Sequence, residues 1–139
     1  MREYLPVATP LDGLHILLVE DEYLIALDVE TICLDHGAAQ VSIAGRHAEL
    51  DDGSLTDGID AAIVDLMING VPTLDFAARL QQQGIPFIFA SGHMMTDEIR
   101  VRFPYVELVE KPYSGDDLVR ALAAAHRAAP SQSAGDVIT

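Results

Sequence analysis

The chain has 139 residues, half of them apolar, enough for one globular core and too few for two domains of ordinary size. Its 22 acidic and 8 basic residues give a formal net charge of −14, which leaves no cationic surface to neutralise nucleic-acid phosphates and excludes nucleic acid as an expected partner. No apolar run reaches membrane-spanning length, and Met1 to Pro10 has neither the apolar core nor the small-residue cleavage site of a secretory signal, so a cytoplasmic protein without membrane association is expected.

In chain order, Asp12-Gly13 predicts a turn, and the unbroken aliphatic run His15 to Val19 predicts a strand covered on both faces. Glu22 to His36 reads as a helix, with Ile25, Val29 and Ile32 at helical spacing and Gly37 as its stop. Cys33, the only cysteine, lies in this run and is expected to be a buried, inert thiol in a reducing compartment. A strand at Gln40 to Ala44 precedes a weak helix near Arg46 to Leu50. The turn formers Asp51-Asp52-Gly53-Ser54 and Asp57-Gly58 could break that helix or leave a loop.

Three more units follow: a strand at Ala61 to Val64 with a helix at Thr73 to Gln83, a strand at Pro86 to Ala90 with a short helix at about Met95 to Arg102, and a strand at Val106 to Val109 with an alanine-rich helix at Gly115 to Ala128. Five strands alternating with helices predict a doubly wound α/β fold, because parallel neighbours need right-handed crossovers that place helices on both faces. The expected layout is an N-terminal extension at 1–12, one folded domain at 13–129, and a disordered tail at 130–139, small and polar in composition.

In such a sheet, ligands bind beyond the carboxyl ends of the strands. There the sequence places Glu20-Asp21-Glu22 after the first strand, Asp65 after the third, Ser91 after the fourth and Glu110-Lys111-Pro112 after the fifth. Carboxylates crowded at one edge repel one another unless compensated, and a hard divalent cation such as Mg²⁺ is the simplest compensation. A carboxylate beside such an ion can attack phosphorus while a lysine ammonium neutralises the transferring group. Each residue taken alone has a plainer reading. Glu22 suits a helix N-terminus, where the dipole favours carboxylates. Asp65 could merely end its strand, Ser91 could be a turn serine before Gly92, and Lys111 a solvated surface cation. Against the last, Lys111 is the only lysine, the other seven basic residues being arginine, which is not equivalent to it.

Glu20-Asp21, Asp65, Ser91 and Lys111-Pro112, in this order on alternating strands, resemble the receiver domains of response regulators, and the resemblance runs from about Leu14 to Ala128. The stretch Pro86-Phe87-Ile88-Phe89-Ala90-Ser91-Gly92-His93, supported by Asp65-Leu66-Met67-Ile68-Asn69-Gly70, resembles the receiver subgroup named FAT GUY, often single-domain proteins. The resemblance implies a (βα)5 flavodoxin-like fold with strand order 2-1-3-4-5. It implies a phosphoryl group accepted on Asp65, with Mg²⁺ (or Mn²⁺) held by Asp21, Asp65, the Met67 carbonyl and, through water, Glu20. It further implies that Ser91 donates its hydroxyl to a phosphoryl oxygen, that Gly92 leaves room for the group, that Lys111 neutralises it, and that Lys111-Pro112 is cis.

Met67 and His93, two residues beyond Asp65 and Ser91, stand where receivers modulate loss of the phosphoryl group. His15, His36, His47 and His126 show no metal-ligand spacing and are read as ordinary surface or strand-end residues. Leu108 occupies a position where many receivers carry a switching Tyr or Phe, and a population shift in the loop after Ser91, around His93 to Thr96, is the alternative route to output.

The partners so implied are a histidine kinase or phosphotransfer protein and a downstream protein, for a monomer or weak dimer that is no enzyme beyond its own phosphorylation and dephosphorylation. Two other readings are weighed. A degenerate receiver would serve as a phosphorylation-independent interaction module, but acceptor, acids and lysine are all present. An Mg²⁺-dependent phosphohydrolase of the haloacid-dehalogenase type would carry Asp-x-Asp after its first strand, where this chain has adjacent Glu20-Asp21.

Overall fold

The structure, a computed structural model, describes residues 9–92 and 96–129. The expected tail, most of the N-terminal extension and His93 lie outside the described residues. The described elements are strands β1 (His15–Val19), β2 (Gln40–Ala44), β3 (Ala61–Asp65), β4 (Met67–Ile68), β5 (Val71–Pro72), β6 (Phe87–Ser91) and β7 (Leu108–Glu110) and helices α1 (Tyr23–Asp35), α2 (His47–Leu50), α3 (Leu74–Gln82), α4 (Asp97–Arg102) and α5 (Gly115–Ala128), with a helix after each of β1, β2, β5, β6 and β7. Five strands form one parallel sheet in the order β2-β1-β3-β6-β7, while β4 and β5 pair only with each other, antiparallel. With that short ladder set aside, the order is the expected 2-1-3-4-5.

The continuous apolar runs are explained by burial on both faces. Successive residues of a strand point to opposite sides. Ile16, Leu18, Ala61, Ile63, Ile88, Ala90 and Val109 therefore meet α1 and α5 on one side, where Leu118, Val119 and Leu122 complete the core. Leu17, Val19, Ala62, Val64, Phe87 and Phe89 face α2, α3 and α4 on the other. Phe87, Phe89 and Phe103 meet there edge to face, with centroids 5.3–5.9 Å apart, a geometry that suits the ring quadrupoles.

The helix after β1 sets its innermost line with Ala26, Val29 and Cys33, while the bulkier Ile25 and Ile32 flank the core half-buried. Small residues at 26 and 33 let the helix lie close to the sheet. Cys33 is buried as expected, and burial pushes its thiol up to about 12, which keeps it protonated and unreactive. Gly37, with φ of 102°, ends this helix as predicted, and Leu11 packs fully buried beside it, its N–H bonded to the His36 carbonyl.

The weak second helix is a single turn followed by a 3₁₀ segment at Gly53–Thr56, and the Asp52 carboxylate accepts the Ser54 N–H at 2.9 Å. The helix predicted from about Met95 starts at Asp97, where the Thr96 hydroxyl caps it by accepting the Ile99 N–H. Among the described residues, no helix is long and apolar enough to cross a membrane.

Candidate functional site

The parallel register brings the carboxyl ends of β1, β3, β6 and β7 to one edge of the sheet. Val19 pairs with Val64, so Glu20 and Asp65 emerge side by side. Ser91 pairs with Glu110, which places Lys111 one residue beyond the same edge. Lys111 Nζ donates to Asp65 Oδ2 at 2.8 Å and to Glu20 Oε1 at 3.0 Å. Glu20 Oε2 accepts the Glu22 N–H at 3.0 Å, so Glu20, rather than Glu22, satisfies a donor at the start of α1.

Carboxylate oxygens of Glu20, Asp21 and Asp65 lie within 4.8 Å of one another. Glu20 and Asp65 are buried, at 4% and 7% exposure, depths that charged groups rarely occupy without partners. Burial raises the Glu20 carboxyl above its ordinary range, against the lowering effect of the bonds from Glu22 and Lys111. Burial also works against the Lys111 charge, but its bonds to Asp65 and Glu20 outweigh that and hold its pKa above the usual lysine value. The two directions are compatible because Lys111 meets two carboxylates, whereas Glu20 must share one ammonium with Asp65. Three clustered carboxylates, two of them paired with the one ammonium, leave two negative charges among hard oxygen donors when all are ionised. This donor set and charge fit a divalent cation of the Mg²⁺ type.

The loop after Asp65 is built as a small hairpin. Ile68 pairs with Val71 across Asn69-Gly70, whose φ values of 51° and 78° give the left-handed pair that a tight two-residue turn requires. Asp21 Oδ2 accepts the Asn69 N–H at 2.7 Å, which ties one acid of the cluster to the tip of this turn. Met67, at the start of the hairpin, donates its N–H to Asp65 Oδ1 at 3.3 Å. Thr73 is buried behind it and donates its hydroxyl to the Asp65 carbonyl at 2.6 Å, while its N–H bonds to the Leu66 carbonyl.

Ser91 is fully buried, and its carbonyl accepts the Lys111 N–H at 2.7 Å. Among the described residues, a β-carbon at Gly92 would meet nothing within 4 Å, which leaves open space beside the end of β6. The Lys111-Pro112 bond is cis, as the resemblance implied. Leu108 pairs with Phe89 and packs half-buried on the aromatic side of the sheet. Tyr105 is 98% exposed, whereas Tyr113 is half-buried near Lys111, and burial pushes its phenol up to about 12.

Thus Glu20, Asp21, Asp65 and Lys111 come together, with Met67, Ser91 and Gly92 at the same edge. Sequence reasoning missed Thr73, Asn69 and His47. The Asn-Gly pair at 69–70 was the available signal, because it marks a two-residue hairpin and hence a fixed path after Asp65. Thr73 acts through the fold of the hairpin back onto Asp65, and His47 through contacts distant in sequence, so neither stands out in the sequence.

No protein-family model and no curated protein sequence matches the chain. Among solved structures it resembles the non-phosphorylated HemR receiver domain from Leptospira biflexa at 18% identity and a TM-score of 0.74, over 86% of this chain and 99% of that one. It resembles a response regulator receiver protein from Sinorhizobium medicae at 28% identity and a TM-score of 0.65, over 85% and 98%. A third match, the response regulator PhyR from Brucella abortus, has 22% identity and a TM-score of 0.70, over 91% of this chain but 51% of PhyR. The fold is therefore the flavodoxin-like fold of response regulator receivers.

Proposed function

We propose that this chain is the receiver of a two-component phosphorelay and accepts a phosphoryl group on Asp65 from the phosphohistidine of a kinase or phosphotransfer protein. The observation that carries this reading is the shared Lys111 ammonium, 2.8 Å from Asp65 and 3.0 Å from Glu20, in a cluster that Asp21 completes. An Asp65 oxygen attacks phosphorus, an O–P bond forms and the N–P bond to histidine breaks. The bonding pair returns to the imidazole, which leaves. Lys111 then serves as counter-charge to a phosphoryl oxygen, and Ser91 donates its hydroxyl to another. Mg²⁺ (or Mn²⁺), held by Asp21, Asp65, the Met67 carbonyl and, through water, Glu20, would supply charge neutralisation at the phosphoryl oxygens.

The chemistry is confined to the protein's own phosphorylation and dephosphorylation, so no separate substrate is turned over. The exposed Tyr23 and Leu24, directly after Asp21 and Glu22, offer an apolar surface to a phosphodonor protein next to the acceptor. The Pro86 to His93 stretch, together with Asp65 to Gly70, supports placement in the FAT GUY subgroup. We place the protein in the cytoplasm, in keeping with its one buried thiol, with output passed to a downstream protein.

The test is incubation of the wild type and Asp65→Asn with acetyl phosphate and Mg²⁺, read by intact mass and hydroxylamine sensitivity. A label on the wild type alone supports the reading, and a label on both or neither overturns it.

A further inference from the structure

His47 opens the single-turn helix α2, between β2 and β3 in the chain, and its Nε2 lies 3.1 Å from both the Ile68 and the Val71 carbonyl oxygens. Carbonyl oxygens only accept, so Nε2 carries the hydrogen and donates to both. Those two carbonyls belong to the paired residues that frame the Asn69-Gly70 turn. The same turn is held from two other directions: the Asn69 N–H donates to Asp21 Oδ2 at 2.7 Å, and the Asn69 side chain reaches the Gly45 carbonyl at 3.5 Å. A hairpin of two residues per strand has too few bonds of its own to be stable. Its position therefore depends on these outside ties, and His47 supplies the pair beside its turn.

We infer that His47 is a positioning residue of the cation site, acting through the 67–72 hairpin on Asp21 and on the main chain at Met67. This rests on the receiver reading above. The hairpin sets the direction of one Asp21 oxygen and so leaves the other to the cation. Releasing it beside the turn frees Asp21 to rotate and Met67 to drift, which costs cation affinity without removing a ligand. Partners outside the ligand set commonly act at this scale.

The experiment compares His47→Gln, which keeps a donor of similar reach, with His47→Leu, which keeps bulk and loses the donor. Mg²⁺ affinity is measured by calorimetry, the Asn69 amide by hydrogen exchange, and labelling of Asp65 by acetyl phosphate across Mg²⁺ concentrations. His47→Leu is expected to weaken Mg²⁺ about tenfold and to speed Asn69 exchange, while its labelling rate recovers at saturating Mg²⁺; His47→Gln stays close to wild type. Equal Mg²⁺ affinity and Asn69 protection in the two variants overturns the inference. Failure of the wild type itself to bind Mg²⁺ or to be labelled overturns the receiver reading instead, and the Asn69 comparison still decides whether His47 holds the hairpin.

Discussion

Lys111 Nζ stands 2.8 Å from the Asp65 carboxylate, so the only lysine of the chain is committed to the one carboxylate that ends the central strand. The same ammonium is the sole positive charge facing Glu20 and Asp65 among the described ion pairs. Replacing it with Met leaves both buried carboxylates without that counter-charge. Lys111→Met is expected to cost roughly 2 kcal/mol of stability in Mg²⁺-free buffer, measured by urea unfolding, and to gain more from added Mg²⁺ than the wild type does. A variant as stable as the wild type without Mg²⁺ contradicts this.

Thr73 is the hidden support of Asp65. Its hydroxyl bonds the Asp65 carbonyl at 2.6 Å in a buried setting, so Thr73→Val removes a donor and leaves that carbonyl short of a partner. The expected loss is about 1–2 kcal/mol in urea unfolding, together with slower labelling of Asp65. Unchanged stability would show that the carbonyl finds another donor.

Much of this arrangement was legible in the sequence because the strands are buried on both faces and announce themselves as aliphatic runs. The bounds of β1, β2 and α5 were predicted to the residue. The acids, Asp65 and Lys111 stood out because polar residues directly after such runs have only the sheet edge to occupy. What was not legible depends on contacts across the chain. The inner line of α1 runs through Ala26, Val29 and Cys33 rather than Ile25, Val29 and Ile32, because close approach to the sheet favours small side chains over large ones. His47 looked like a surface residue because its two acceptors, Ile68 and Val71, are more than twenty positions away.

The alkaline limb of stability has a defined sign. Burial holds the Tyr113 phenol near 12 against an ordinary value of 10. A folded-state value above the unfolded one contributes stability that is fully present below pH 10 and is lost as pH rises toward 12. Lys111, also held above its ordinary 10.5, acts in the same direction, so the difference between wild type and Tyr113→Phe isolates the phenol. The wild type should lose thermal stability more steeply than Tyr113→Phe across this window. Parallel slopes contradict the assignment.

Met67 is half-buried next to Asp65 and lines an apolar groove with Leu66, Pro72, Leu74 and Ile99. On the receiver reading, an apolar side chain here would hinder water from reaching an acyl phosphate on Asp65. Met67→Asn should therefore shorten the lifetime of the phosphorylated protein, followed by loss of label after the phosphodonor is removed. A longer lifetime in the variant contradicts the shielding role.

The most direct measurement locates the phosphoryl group. Protein treated with acetyl phosphate and Mg²⁺ is reduced with borohydride, which converts an aspartyl phosphate to homoserine, and its peptides are sequenced by mass spectrometry. The account predicts homoserine at position 65 alone, and only when Mg²⁺ and the phosphodonor are both present. Conversion at another carboxylate, or none at position 65, would contradict it.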